Sequence, residues 1–147
     1  MDIIHSEGET YTLNFKRGEE VMAGLIAFVT ENNIQAAHLT GLGAASKVTV
    51  AYYNLDTKEY EKQDIVEDVE ILSLVGNVGI KEGGIPVVHI HGTFGRRELN
   101  VFGGHIFELL ISGAGEIHLT AFSGAINRIF DEETGLTLMC PAPIAEK

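Results

Sequence analysis

The chain has a single cysteine, Cys140, among its 147 residues. No internal disulfide can form, which fits a reducing compartment. In "LMCPAP" that cysteine reads as a small apolar filler, the usual state of a free thiol. Basic residues are also few: ten Lys and Arg stand against 21 Asp and Glu, a formal net charge of −11. Binding to a nucleic-acid backbone depends on clustered cations, because release of phosphate counterions supplies most of the affinity. Here the only adjacent basic pair, Arg96-Arg97, is followed at once by Glu98. That charge balance argues against direct DNA binding. Long apolar runs are missing too, so nothing in the sequence predicts a membrane span. The opening "MDIIHSEGETY" has neither a basic start nor an apolar core of signal-peptide length, and the expected location is cytoplasmic.

Several catalytic signatures are absent. "GLGAAS" (41–46) has two glycines of a dinucleotide fingerprint but Ser46 in the third place. The alternating "KVTVAYY" that follows is strand-like, where a phosphate site needs a helix N-terminus. There is no P-loop and no H-E-x-x-H, and "TAFSG" puts Ala121 where a nucleophile elbow needs glycine.

What remains is a chain of ordinary domain length with 45% hydrophobic residues, enough for a real core. No linker or repeat divides it, so residues 1–147 are expected to form one domain. "YTLNF" (11–15) alternates as a strand. "GEEVMAGLIAFVTENN" (18–33) predicts one helix, with Val21, Leu25, Ile26 and Val29 on a stripe, acids in its first turn and Asn32-Asn33 at its end. Period two then takes over. The predicted strand segments are "QAAHLTGLGA" with "KVTVAYYNL", "VEILSLVGNVGI" (Leu72, Leu74, Val78 and Ile80 on one face), "IPVVHIHGTF", "ELNVFGGHIFELLI" and "EIHLTAF". A last pair, "INRIF" and "LTLM", is joined by the turn "DEETG". One helix and many strands with short Gly-rich connections predict an α+β fold, its main helix packed on a mainly antiparallel, strongly curved sheet.

The chemistry is concentrated in "VVHIHGTFGRRELNVFGGHIFEL" (87–109). On a strand His89 and His91 point the same way, about 7 Å apart at their roots, while Val88, Ile90 and Phe94 face the core. A turn near "GRRE" (95–98) would fold residues 99–105 back along 88–94 and bring His105 beside the pair. Gly103 and Gly104 would let the backbones approach closely there. Three imidazoles so placed can converge on one ion with nitrogens about 2 Å from it, leaving one tetrahedral position open. The competing reading is three half-buried histidines bonded to carbonyls or water. Glu116 and His118 share a face on "EIHLTAF", and an acid there could orient an imidazole or act on bound water. Glu108 is a second candidate. His5 and His38 read as structural or surface residues.

Taken in order, "TGLGAASKVTVAYY", "VEILSLVGNVGI", "PVVHIHGTFG", "FGGHIF" and "GEIHL" resemble the plants-and-prokaryotes-conserved (PPC) domain over essentially the whole chain. The resemblance implies a compact α+β subunit assembling as a homotrimer. It also implies a metal, Zn²⁺ or a similar divalent ion, with ligands at His89, His91 and His105. Glu116 matches a glutamate common in the family's following strand. The fold is similar to that of acetolactate decarboxylases, which use a three-histidine zinc site. The open coordination position, a neighbouring acid and glycines that leave space suit one function, in which the metal acts on a small oxygenated substrate while Glu116 moves the proton. In another, which the family's plant use implies, the trimer is a non-catalytic module that meets a protein partner. The family's DNA-binding label comes from plant relatives whose separate hook makes that contact, and this chain has no R-G-R-P hook.

Overall fold

The computed structural model describes residues 1–141. β1 (Asp2–Glu7) and β2 (Thr10–Lys16) form a hairpin and lead to α1 (Val21–Glu31). Then come β3 (Ala37–Asn54), β4 (Glu59–Ile65), β5 (Val69–Lys81), β6 (Ile85–Gly95), β7 (Val101–Ala121), β8 (Arg128–Asp131) and β9 (Leu136–Met139). The first seven strands make one sheet in the order β1-β2-β7-β6-β5-β3-β4, and β7 also pairs with β3. That extra pairing closes a circuit β7-β6-β5-β3-β7, all of it antiparallel. Closure is the physical content of the expected curvature, since it removes the edges of those four strands. Inside lie Leu13, Phe15, Leu39, Leu74, Ile90, Phe94, Ile106 and Leu109, in one core with the helix.

The helix is shorter than the sequence pattern predicts. Glu20 is its N-cap rather than a first-turn residue: its carboxylate accepts from the amides of Met22 and Ala23, and from Leu109 on β7. It therefore ties the helix start to the sheet. Val21, Leu25 and Val29 are buried as expected, joined by Met22 and Phe28, whereas Ile26 falls off the stripe and stays 43% exposed. Asn32 caps the end and Asn33 takes the left-handed conformation there.

Two segmentations differ from the sequence reading. "QAAHLTGLGA" and "KVTVAYYNL" are one strand, β3, and "ELNVFGGHIFELLI" and "EIHLTAF" are one strand, β7. Each long strand bends through register shifts at glycine and neighbouring positions, such as Gly43/Ala45, so glycine there bends the strand without ending it. On β5, Leu74 and Val78 are buried, but Leu72 is 52% exposed and Ile71 is buried instead. The bulge between Ile71 and Ser73 changes which side chains face inward.

The β8–β9 hairpin, predicted with its turn, stands as a separate two-stranded sheet. It docks on the first sheet through Ile80 N–H to the Ile126 carbonyl, a bridge between Ile80 and Asn127, and Tyr53 Oη donating to the Thr134 carbonyl. No helix among the described residues is long and apolar enough to cross a membrane.

Candidate metal centre

β6 ends at Gly95 and β7 begins at Val101. The turn between them is closed by Arg96 N–H to the Asn100 carbonyl and Leu99 N–H to the Arg96 carbonyl. This turn sets a register in which His91 lies directly opposite His105 and Gly92 opposite Gly104. The expected fold-back is therefore present. The backbones do approach closely: a Cβ on Gly103 would sit 2.4 Å from the Gly92 carbonyl oxygen, and one on Gly104 2.8 Å from that of Ala51.

His89, His91 and His105 each present a ring nitrogen within 4.8 Å of the other two, and they are the group of this kind among the described residues. Ring centroids are 5.0 Å apart for His89 and His91, 4.9 Å for His89 and His105, and 5.5 Å for His91 and His105. Tetrahedral zinc with nitrogens about 2 Å away needs them roughly 3.3 Å from one another, a closure within reach of side-chain rotation. His105 Nδ1 is buried with no hydrogen-bond partner. A buried imidazole nitrogen left unpaired is costly. The donor set suits a borderline metal such as zinc.

Burial favours the neutral rings of His89 and His105. Burial pushes the His105 pKa down from 6.5 to about 4, helped by His89, His91 and Lys62. Burial also lowers that of His89, with the charges of His91 and Arg128 acting the same way. A neutral imidazole keeps the lone pair that a metal requires. Tyr60 lies 4.8 Å from the His105 ring and Phe107 4.9 Å, centroid to centroid. Lys62 Nζ sits 3.7 Å over the Phe107 ring.

The remaining sequence candidates lie elsewhere. Glu116 is exposed and pairs in register with Asn14 and Leu42, whereas His105 pairs with His91 and Ala51. Along a straight strand those positions on β7 would be roughly 35 Å apart. Within one chain, Glu116 does not join the histidines. His118 faces Thr12, its Nδ1 3.2 Å from the hydroxyl, and Glu108 is paired to Lys47 at 2.7 Å. His38 stacks on Phe122, and Cys140 donates to the Asn127 carbonyl. The sequence reading did not single out Tyr60, Lys62, Asn77 or Arg128. Its one available signal was the lone cation in "INRIF".

Residues 4–123 match the family profile of the Plants and Prokaryotes Conserved (PCC) domain, the domain written PPC above. The chain belongs to that family. Its fold is similar to a metal-containing protein from Archaeoglobus fulgidus (35% identity, TM-score 0.84, covering 96% of this chain and 99% of that one). It is also similar to a suspected DNA-binding protein from Bacteroides thetaiotaomicron (28% identity, TM-score 0.88, 92% and 94% covered). The expected likeness to acetolactate decarboxylase is present as fold alone. The Bacillus subtilis enzyme is 14% identical with a TM-score of 0.53, and the match spans 86% of this chain and 58% of that enzyme. A search of curated proteins gave no match.

Proposed function

We propose that this chain is a metal-binding protein that holds Zn²⁺ or a similar divalent ion through His89, His91 and His105. The observation that carries the reading is the convergence of three imidazoles, one of which has a buried Nδ1 without a partner. Similarity to the metal-containing Archaeoglobus protein supports it. With three protein ligands one coordination position stays open, the pattern of sites that act on a ligand rather than merely brace a fold. When bound, such a metal polarises a carbonyl or acidifies a water. The chain itself contributes the three nitrogens, the aromatic wall of Tyr60 and Phe107 that keeps bulk water from one side, and the positive charges of Lys62 and Arg128. Those features suit chemistry on a small oxygenated substrate. Titration with Co²⁺ tests the site: intense visible absorption from a tetrahedral ion, abolished in His89→Ala, is the expected result. A spectrum indistinguishable from free Co²⁺ would contradict it.

The same reading includes self-association as a homotrimer. Val75, opposite His91, is 58% exposed, and Val101, four residues from His105 and on the same face, is 60% exposed. Apolar surface beside the histidines suits burial against further copies. Light scattering should then report three times the mass of one chain, and the mass of one chain would overturn the trimer.

A further inference from the structure

Arg128 is only 7% exposed, yet none of the ion pairs among the described residues includes it. Of its five N–H donors, one goes from Nη1 to the Thr137 carbonyl at 3.1 Å and one from Nη2 to Asn77 Oδ1 at 2.5 Å. Nε has no partner at all. A buried guanidinium without a counter-charge is costly and is retained where something negative offsets it. The chain carries 21 acidic residues, more than twice its cations, and has set none of the described ones against Arg128.

The position of this charge narrows its use. Asn77, which holds Nη2, is the direct cross-strand partner of His89 on the β5–β6 ladder, so their side chains share a face about 5 Å apart at the roots. Arg128 is thus one residue removed from the histidine trio. The hairpin that carries it also anchors to Tyr53, which packs on Tyr60, which in turn packs on His105. Glycine at position 79 makes room: a Cβ there would lie 3.2 Å from Arg128 Nε. Arg128 also lines a cavity of about 720 Å³ with Ile80, Phe130 and Thr137, large enough for the body of a small organic ligand, and none of the three histidines lines it. Arg128 itself lies outside the residues that match the family profile.

We propose that Arg128 is an anion anchor beside the histidine site: its guanidinium takes the carboxylate of a small organic acid whose body lies in that cavity. The carboxylate contact belongs to Arg128 alone and stands apart from the metal reading above. Charge-assisted pairing of a guanidinium with a carboxylate is among the stronger contacts a protein can offer a small acid.

The test is calorimetric titration of the full chain, with and without zinc, using glycolate and pyruvate as probes and inorganic phosphate and chloride as controls. Metal content and melting temperature are measured on every sample. Arg128→Met should weaken glycolate and pyruvate binding roughly tenfold or more and leave metal content unchanged, with Arg128→Lys in between. Asn77→Asp would supply an internal carboxylate to the guanidinium. It should lose the acids to a similar extent while melting no lower than the parent, and it decides the matter if Arg128→Met does not fold. A purely structural arginine would shift melting without touching affinity. Equal affinity in parent and folded variants, or no acid bound by the zinc-loaded parent, overturns the proposal. Phosphate bound in preference to both acids overturns the carboxylate assignment. If the parent takes up no metal, that reading fails separately. An Arg128-dependent affinity of the metal-free chain for pyruvate would then still uphold the anchor, and its absence would sink it.

Discussion

Burial holds the His105 ring at a pKa of about 4, where an unfolded chain would protonate it near 6.5. The unfolded state therefore binds the proton first, and falling pH favours it. In metal-free protein the stability linked to this ring is complete above about pH 6.5 and is lost as pH drops towards 4. The ring is partly solvated, so the effect is moderate. Urea melts at stepped pH should show the midpoint declining over that window, with a shallower decline in His105→Gln. Equal slopes would contradict the assignment. The trio was legible in the sequence because two of its members sit two residues apart on a strand and the third follows a turn that the intervening residues announce. Arg128, Tyr60 and Lys62 were not legible. They reach the site from β8 and β4, and no local spacing records which distant strands will pack together.

At the scale of elements, the β6–β7 ladder is the part that the site depends on. Gly103→Ala would thrust a Cβ to 2.4 Å from the Gly92 carbonyl, beside the paired His91 and His105. Overpacking of this kind costs about 1–3 kcal/mol, and thermal melts should show it together with weakened metal uptake. Glu20→Ala makes a useful contrast. It strips the cap from Met22, Ala23 and Leu109 amides, costs about 1–2 kcal/mol and should leave metal content untouched. If it lowers metal content as much as Gly103→Ala does, the ladder is not the controlling element. Element types followed well from periodicity, as the helix, the hairpin at "DEETG" and the His-bearing strands illustrate. Their boundaries did not: Gly43 and its neighbours bend β3 within one continuous strand, and the Ile71/Ser73 bulge moves Leu72 outward against a simple period of two. The β1 strand, exposed along its whole length, carries no buried face for a pattern to reveal.

Across the whole molecule, charge and closure govern what the protein can meet. A net charge of −11 opposes a polyanion at every distance that salt does not screen. A duplex titrated at low ionic strength should remain unbound. Binding that weakens steeply as salt rises would restore the DNA reading attached to the Bacteroides relative. Closure of β7-β6-β5-β3 gives a rigid wall on which the histidines stand, and the docked hairpin brings a cation to the same face. These features make a metal centre the central claim. Its most direct test is elemental analysis by mass spectrometry of tag-free protein beside a His91→Ala variant. The account predicts close to one zinc or similar ion per chain, lost in the variant while the fold persists. No metal in either protein, even after incubation with zinc and removal of the excess, would contradict it and leave three packed histidines.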